Sequence, residues 1–109
     1  MSSLYSQYIL ERQGRETLED DKGFATFDIN GEYCYIVDIF VIKSERRTHS
    51  ATAYADRVVE MAKERGCKFL LGTVDPRAFG AEISTKVILS YGYKYREFKD
   101  NLIWFIKEI

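Results

Sequence analysis

Cysteine is scarce in this chain: Cys34 and Cys67 are the only two, and both fall in apolar stretches. Two residues so placed make neither a disulfide framework nor a zinc site. They read as small core residues of a protein kept in a reducing compartment. Basic charge is not in excess either. With 16 Lys and Arg against 17 Asp and Glu, the formal net charge is −1, so no global field draws nucleic acid. There is one proline, Pro76, and no repeat, low-complexity run or linker interrupts the sequence. No run nears the ~20 apolar residues of a membrane span. The start, MSSLYSQYILERQ, lacks the basic segment and apolar run of a signal peptide. These absences point to a cytoplasmic protein with no metal, no membrane and no nucleic-acid partner. Its 109 residues are enough for one domain, read as 1–109.

What the chain does have is aromatic and β-branched residues in short runs. Residues 4–12, LYSQYILER, read as a strand, and QGRETLEDD after it as a polar loop. GFATFDI (23–29) alternates well enough for a half-buried strand. Asn30-Gly31 is a two-residue hairpin signal in which both central positions take positive φ. The run from Tyr33 to about Ile42 reads as a central strand. From Ser50 to Arg65 the period changes: Ala51, Ala55, Val58, Val59 and Ala62 recur at helical spacing, and Gly66 terminates the helix. KFLLGTV (68–74) reads as a buried strand, so strand, helix and strand form a crossover with parallel strands. A second helix over roughly 81–91 and two strands, 93–98 and 102–108, complete the order βββ-α-β-α-ββ. That is an α+β domain on a mixed sheet.

The loop between the central strand and the first of these helices, VIKSERRTHSAT, carries the chemistry. A helix beginning near Ser50 points several unpartnered N–H groups back at this loop. Together with the helix dipole they suit an anion, phosphate in particular. Arg46 and Arg47 add guanidinium groups able to pair with phosphate oxygens. No Asp or Glu stands between Arg46 and Tyr54 to compete. The alternative is an ordinary solvated loop with Thr48 or Ser50 capping the helix.

VIKSERRTHSAT, following a strand and opening a helix, resembles motif A of the GNAT superfamily of acyl-CoA N-acyltransferases. Val41 matches the strand-end residue, Arg46 the Gln/Arg, and Ala51 the closing small residue. IVDIFV is similar to that superfamily's fourth strand and GCKFLLGTV to its fifth. ILSYGYKY resembles its common ending, in which an aromatic follows glycine. The style of the chain is also similar to that of short GNAT-like proteins encoded by some bacteriophages. The resemblance implies a minimal GNAT fold without the usual first strand and first two helices.

It further implies acetyl-CoA as acyl donor. Arg46, Arg47, Thr48, His49, Ser50 and Ala51 would hold the diphosphate. Backbone groups near Ile39, Phe40 and Val41 would hold the pantetheine arm and polarise the thioester carbonyl. An amine acceptor, small or carried on a protein, would attack directly. Asp38 interrupts its apolar strand where GNAT fourth strands often carry a carboxylate. Partly desolvated, it would have a raised pKa and relay the amine proton; the other reading is a structural hydrogen bond to backbone or Tyr. The pattern is broken in three places. His49 replaces a motif glycine, the positions of the usual acid tyrosine and asparagine hold Ile88 and Ala81, and the acceptor side is short. Ser84, Ser90 and Tyr91 read as packing or capping residues. Two functions follow: an N-acetyltransferase, or a module that has lost catalysis and binds CoA or a protein. An exposed strand edge would allow a homodimer.

Overall fold

The computed structural model describes residues 3–48 and 50–109, with side chains throughout except at Arg47, Thr48 and Ser50. The chain begins with helix α1 (Leu4–Gln13), then strands β1 (Glu16–Glu19), β2 (Gly23–Asn30) and β3 (Tyr33–Val41). A 3-10 segment (Lys43–Thr48) leads into α2 (Ser50–Glu64), followed by β4 (Phe69–Val74), α3 (Ala81–Tyr91), β5 (Lys94–Lys99) and β6 (Leu102–Glu108). The six strands form one mixed sheet in the order β1-β2-β3-β4-β6-β5. The expected α+β class and crossover are present, with β3 parallel to β4 and every other neighbour antiparallel.

The N-terminal segment departs from the expectation. Leu4–Gln13 is a helix, not a strand, so one helix precedes the sheet where none was expected. Its ends explain it. The Ser3 hydroxyl accepts from the Ser6 N–H at 3.0 Å, and Gly14, at φ 70, closes the last turn by donating to Leu10 O. The missing strand lies inside the supposed loop, as β1. It is an edge strand, for which charged residues are ordinary. Leu18 turns toward the core, while Glu16 takes a two-pronged bond from Arg65, in the turn just past α2, at 2.7 and 2.9 Å. Glu19 accepts from the hydroxyls of Ser3 and Ser6, holding α1 across β1.

The β2–β3 hairpin also sits one residue later than expected. Asn30 pairs with Tyr33, so the central residues are Gly31 and Glu32, and only Gly31 has positive φ, 61°. At the β5–β6 turn both Asp100 (φ 56) and Asn101 (φ 63) are left-handed, the two-residue turn that matches strand twist.

Helices α2 and α3 share one face of the sheet. Tyr54, Val58 and Ala62 of α2 pack on Ala25, Phe27, Cys34 and Leu70. Phe27, Leu70, Val58 and Cys34 are fully buried, each of the three larger side chains contributing about 1.5–3 kcal/mol. Burial pushes the Cys34 thiol up to about 12, and both cysteines are unbridged core residues. Among the described residues, α1 is the only helix on the opposite face. Its Tyr5 ring meets Phe24, which stacks on Phe40. No described helix is long and apolar enough to cross a membrane.

Candidate functional site

The site is built where β3 and β4 separate. They pair over three positions only, Tyr33 with Phe69, Cys34 with Leu70 and Tyr35 with Leu71. Beyond these β3 runs on to Val41 and β4 to Val74 without pairing to each other. A bulge contributes to the parting. Opposite β2, Thr26 pairs with Asp38 but Phe27 pairs with Ile36, leaving Val37 as an extra residue. Such an insertion bends its strand and strengthens the local twist. From Ile36 to Val41 the β4-facing edge of β3 is therefore a strand edge without a strand partner.

This gap opens on the helix face into a cleft of about 380 Å³. β3 supplies Ile36 to Ile39, α2 supplies Ala51, Thr52 and Ala55, and β4 supplies Gly72 and Thr73. The far wall is α3, with Ile83, Val87, Ile88 and Tyr91, closed by Tyr93. The lining is mostly apolar, and small residues at the start of α2 keep that end open. No acidic residue stands in the first turn of α2, so its N–H groups and dipole face the end of the cleft uncompensated by an acid of the helix itself.

Val41 is buried and Ile39 half-buried on the helix side, where both pack into or against the core. Phe40 is exposed on the other face. Arg46 folds back on its own strand: Nε donates to Val41 O at 2.9 Å, and the guanidinium lies 5.6 Å over the Phe40 ring. It thereby ties the loop to the end of β3. Arg47 and Thr48 belong to the 3-10 segment and Ser50 opens α2; their side chains, and His49 altogether, lie outside the described residues. Ala51 is exposed and lines the cleft.

Asp38 is placed differently from the expectation. Strict alternation from Cys34 would turn it into the core with Ile36. The bulge at Val37 reverses the alternation, so Ile39 and Val41 rejoin the core side and Asp38 shares the open face with Tyr35 and Phe40. It is exposed, not partly desolvated as expected. It stands on the β3 lip of the gap. On the facing lip, Thr73 of β4 bonds the Tyr35 hydroxyl at 2.7 Å. A basin next to this lip, lined by Asp28, Tyr33, Tyr35, Leu71, Arg96 and Trp104, occupies the open face.

The end of β3 is held by the β1–β2 turn. Ile42 N–H donates to Lys22 O at 2.8 Å, and Gly23 sits under Phe40 and Val41. Asp20 organises that turn. It accepts from the N–H groups of Lys22 and Gly23, from the Tyr54 hydroxyl and from Arg57 of α2. The Tyr54 bond and then the backbone donors hold its carboxyl below the usual value. The sequence reading missed this knot, and it missed Gly72, Thr73 and Tyr93. Gly72, inside an apolar strand, was the available signal, since glycine there marks a close approach. Among the described residues no group of His, Cys, Asp and Glu is placed to hold a metal.

The model of the Acetyltransferase (GNAT) family matches residues 17–81, from β1 into the first residue of α3. No curated protein matches the sequence. Among solved structures, an acetyltransferase from Thermus thermophilus superposes with a TM-score of 0.76 at 12% identity, covering 94% of this chain and 70% of its own. PaiA N-acetyltransferase from Thermoplasma acidophilum, in complex with coenzyme A, gives 0.71 at 10% identity over 81% of this chain and 54% of its own. A Bacillus subtilis acetyltransferase in complex with CoA gives 0.70 at 14% identity over 99% of this chain and 84% of its own. The fold is common to all three, and the chain spans about half the length of the Thermoplasma protein.

Proposed function

Because this chain belongs to the acetyltransferase (GNAT) family, we propose that it is an N-acetyltransferase whose cleft takes acetyl-CoA and whose open face admits an amine. The observation that carries this reading is the parting of β3 from β4 after Tyr35 and Leu71, with the start of α2 at its end. A cleft of about 380 Å³ lies in the range of small-molecule sites, roughly 300–1,000 Å³.

The chain's own groups fit such a donor. The free edge of β3 at Ile39, Phe40 and Val41 offers backbone donors and acceptors to a pantetheine amide chain, as an added strand would use them. The N–H groups opening α2 suit a diphosphate, with Arg46, Arg47, Thr48, His49, Ser50 and Ala51 around it. Arg46 acts first as a strut, fixing the loop through Val41 O. The amine approaches through the gap between Asp38 and Thr73, and Asp38, solvated on the lip, accepts its proton directly or through water. The acetyl group goes to nitrogen and the thiol leaves on the helix side.

Ile88 on the cleft wall favours a second reading, a module that binds CoA or a protein partner without turnover. Release of free thiol from acetyl-CoA, followed with a panel of amines and lysine-bearing proteins, separates the two. Amine-dependent thiol release that falls in Asp38→Asn supports the enzyme. Binding of CoA with no release from any acceptor supports the module, and no binding of CoA at all removes both coenzyme readings.

A further inference from the structure

The coenzyme reading uses the cleft on the helix face and leaves the basin on the open face without a role. Each has a volume of about 380 Å³. They are joined at a hydrogen bond, since Thr73 lines the cleft, Tyr35 lines the basin, and their hydroxyls meet at 2.7 Å. Strand residues build the basin, with Leu71 and the half-buried rings of Tyr33, Tyr35 and Trp104 as its apolar part. Trp104 pairs with Thr73 and so stands level with the gap. Its indole donates to Lys99 O at 3.1 Å and lies 5.7 Å from the Tyr35 ring. Fixed aromatic faces of this kind suit a flat apolar guest.

Charge enters at the other end. β5 carries a bulge: Tyr95 pairs with Phe105 and Glu97 with Trp104, leaving Arg96 as the extra residue. The bulge sets Arg96 beside Glu97 on the Trp104 side of the sheet, and Glu97 steadies the guanidinium at 3.5 Å. From there the guanidinium lies over the Tyr33 ring, 5.7 Å from its centroid. Tyr33 is the first pair of the parallel ladder and Tyr35 the last before the gap. The guanidinium therefore marks the end of the basin away from the gap. Asp28, the acid of the lining, is met by Arg15 at 3.3 Å, so Arg96 is the charge that the basin presents to a guest.

We propose that the basin is the acceptor's pocket and that Arg96 selects an amine whose flat, apolar body ends in a carboxylate. This deepens the acetyltransferase reading above and rests on it. The amine nitrogen lies at the gap between Asp38 and Thr73, and the body lies against Tyr35 and Trp104. The carboxylate lies at Arg96, where a guanidinium can hold it by two parallel bonds. A second positive charge at that end is repelled, which sets such an acceptor apart from a diamine.

Trp104 is the only tryptophan, so its fluorescence reports the basin directly. The probes are 4-(aminomethyl)phenylacetate and its carboxamide, which share ring and amine and differ in the acid. The acid is expected to shift Trp104 emission and to bind about tenfold more tightly than the carboxamide. Arg96→Gln is expected to remove that preference by weakening the acid alone. Arg96→Lys, which keeps the charge without the fork, should retain part of it. With acetyl-CoA present, the same ratio is expected in kcat/KM for thiol release. Equal affinity for the two probes in the wild type, or no change in emission with either at millimolar concentration, overturns the proposal. CoA binding by calorimetric titration then leaves the coenzyme reading standing. A preference for the acid that survives in Arg96→Gln overturns the role of Arg96. Selection of the acid by a protein that binds no CoA overturns both the coenzyme reading and the acceptor's pocket, leaving an acid-binding site only.

Discussion

Gly23→Ala is expected to destabilise the protein by on the order of 3 kcal/mol. For a domain of this length that is a loss of roughly 12–24 °C in Tm. The reason is local and severe. A Cβ on Gly23 would lie 2.1 Å from Phe40 O and 3.0 Å from Val41 Cα, both backbone atoms of β3. A flexible side chain would swing aside, but a paired strand does not. Gly23 pairs with Val41, so relief requires β3 to lift from β2 at the end that carries the Ile42–Lys22 bond and the Arg46 strut. The same substitution should therefore weaken CoA binding in whatever fraction stays folded. Thermal unfolding followed by circular dichroism checks the first effect. A Tm within 3 °C of wild type, roughly 0.5 kcal/mol, would mean that β2 does not brace the loop.

Ala51→Asp separates stability from binding by sign. An acid in the first turn of α2 interacts favourably with the helix dipole, by about 0.3–1 kcal/mol, so the ligand-free protein should melt no lower than wild type. The same carboxylate would face the diphosphate. Two unit charges ~4 Å apart at an effective dielectric near 20 repel by about 4 kcal/mol, so even with most of this screened a loss of ten- to hundredfold in CoA affinity is expected. Ala51→Asn, of the same shape without the charge, should lose far less. Calorimetric titration with CoA reads both variants. Equal affinities for wild type, Ala51→Asp and Ala51→Asn would show that no anion sits at the start of α2.

The two functional effects of the sheet, its gap and its bulge, differ in how far the sequence announces them. The crossover was legible because its signals are local: β-branched runs at Tyr33–Val41 and Phe69–Val74 bracket a helix with a clean stripe. The motif at its turn, VIKSERRTHSAT, carries the family resemblance within one short segment. Where the chain was misread, the deciding forces were non-local or at an end. LYSQYILER has the composition of a strand, yet its helix is selected by Ser3 and Gly14 just outside the window. ETLE becomes a strand because β2 offers an edge and Arg65 a partner from 49 residues away. The register of Asp38 depends on one extra residue, Val37, which only pairing with β2 defines. Tyr93 follows a glycine in the sequence, but its place on the cleft wall is set by packing on Gly72 across the fold.

The central claim is that the parted edge of β3 and the start of α2 together receive acetyl-CoA. Amide hydrogen exchange with and without CoA tests it most directly, since it reports the backbone groups themselves. Slowed exchange confined to Ile36–Val41 and to the first turns of α2 from Ala51, with the edge strand β5 unchanged, is the predicted result. Unchanged exchange at both segments under saturating CoA, or protection appearing at β5 instead, would contradict it.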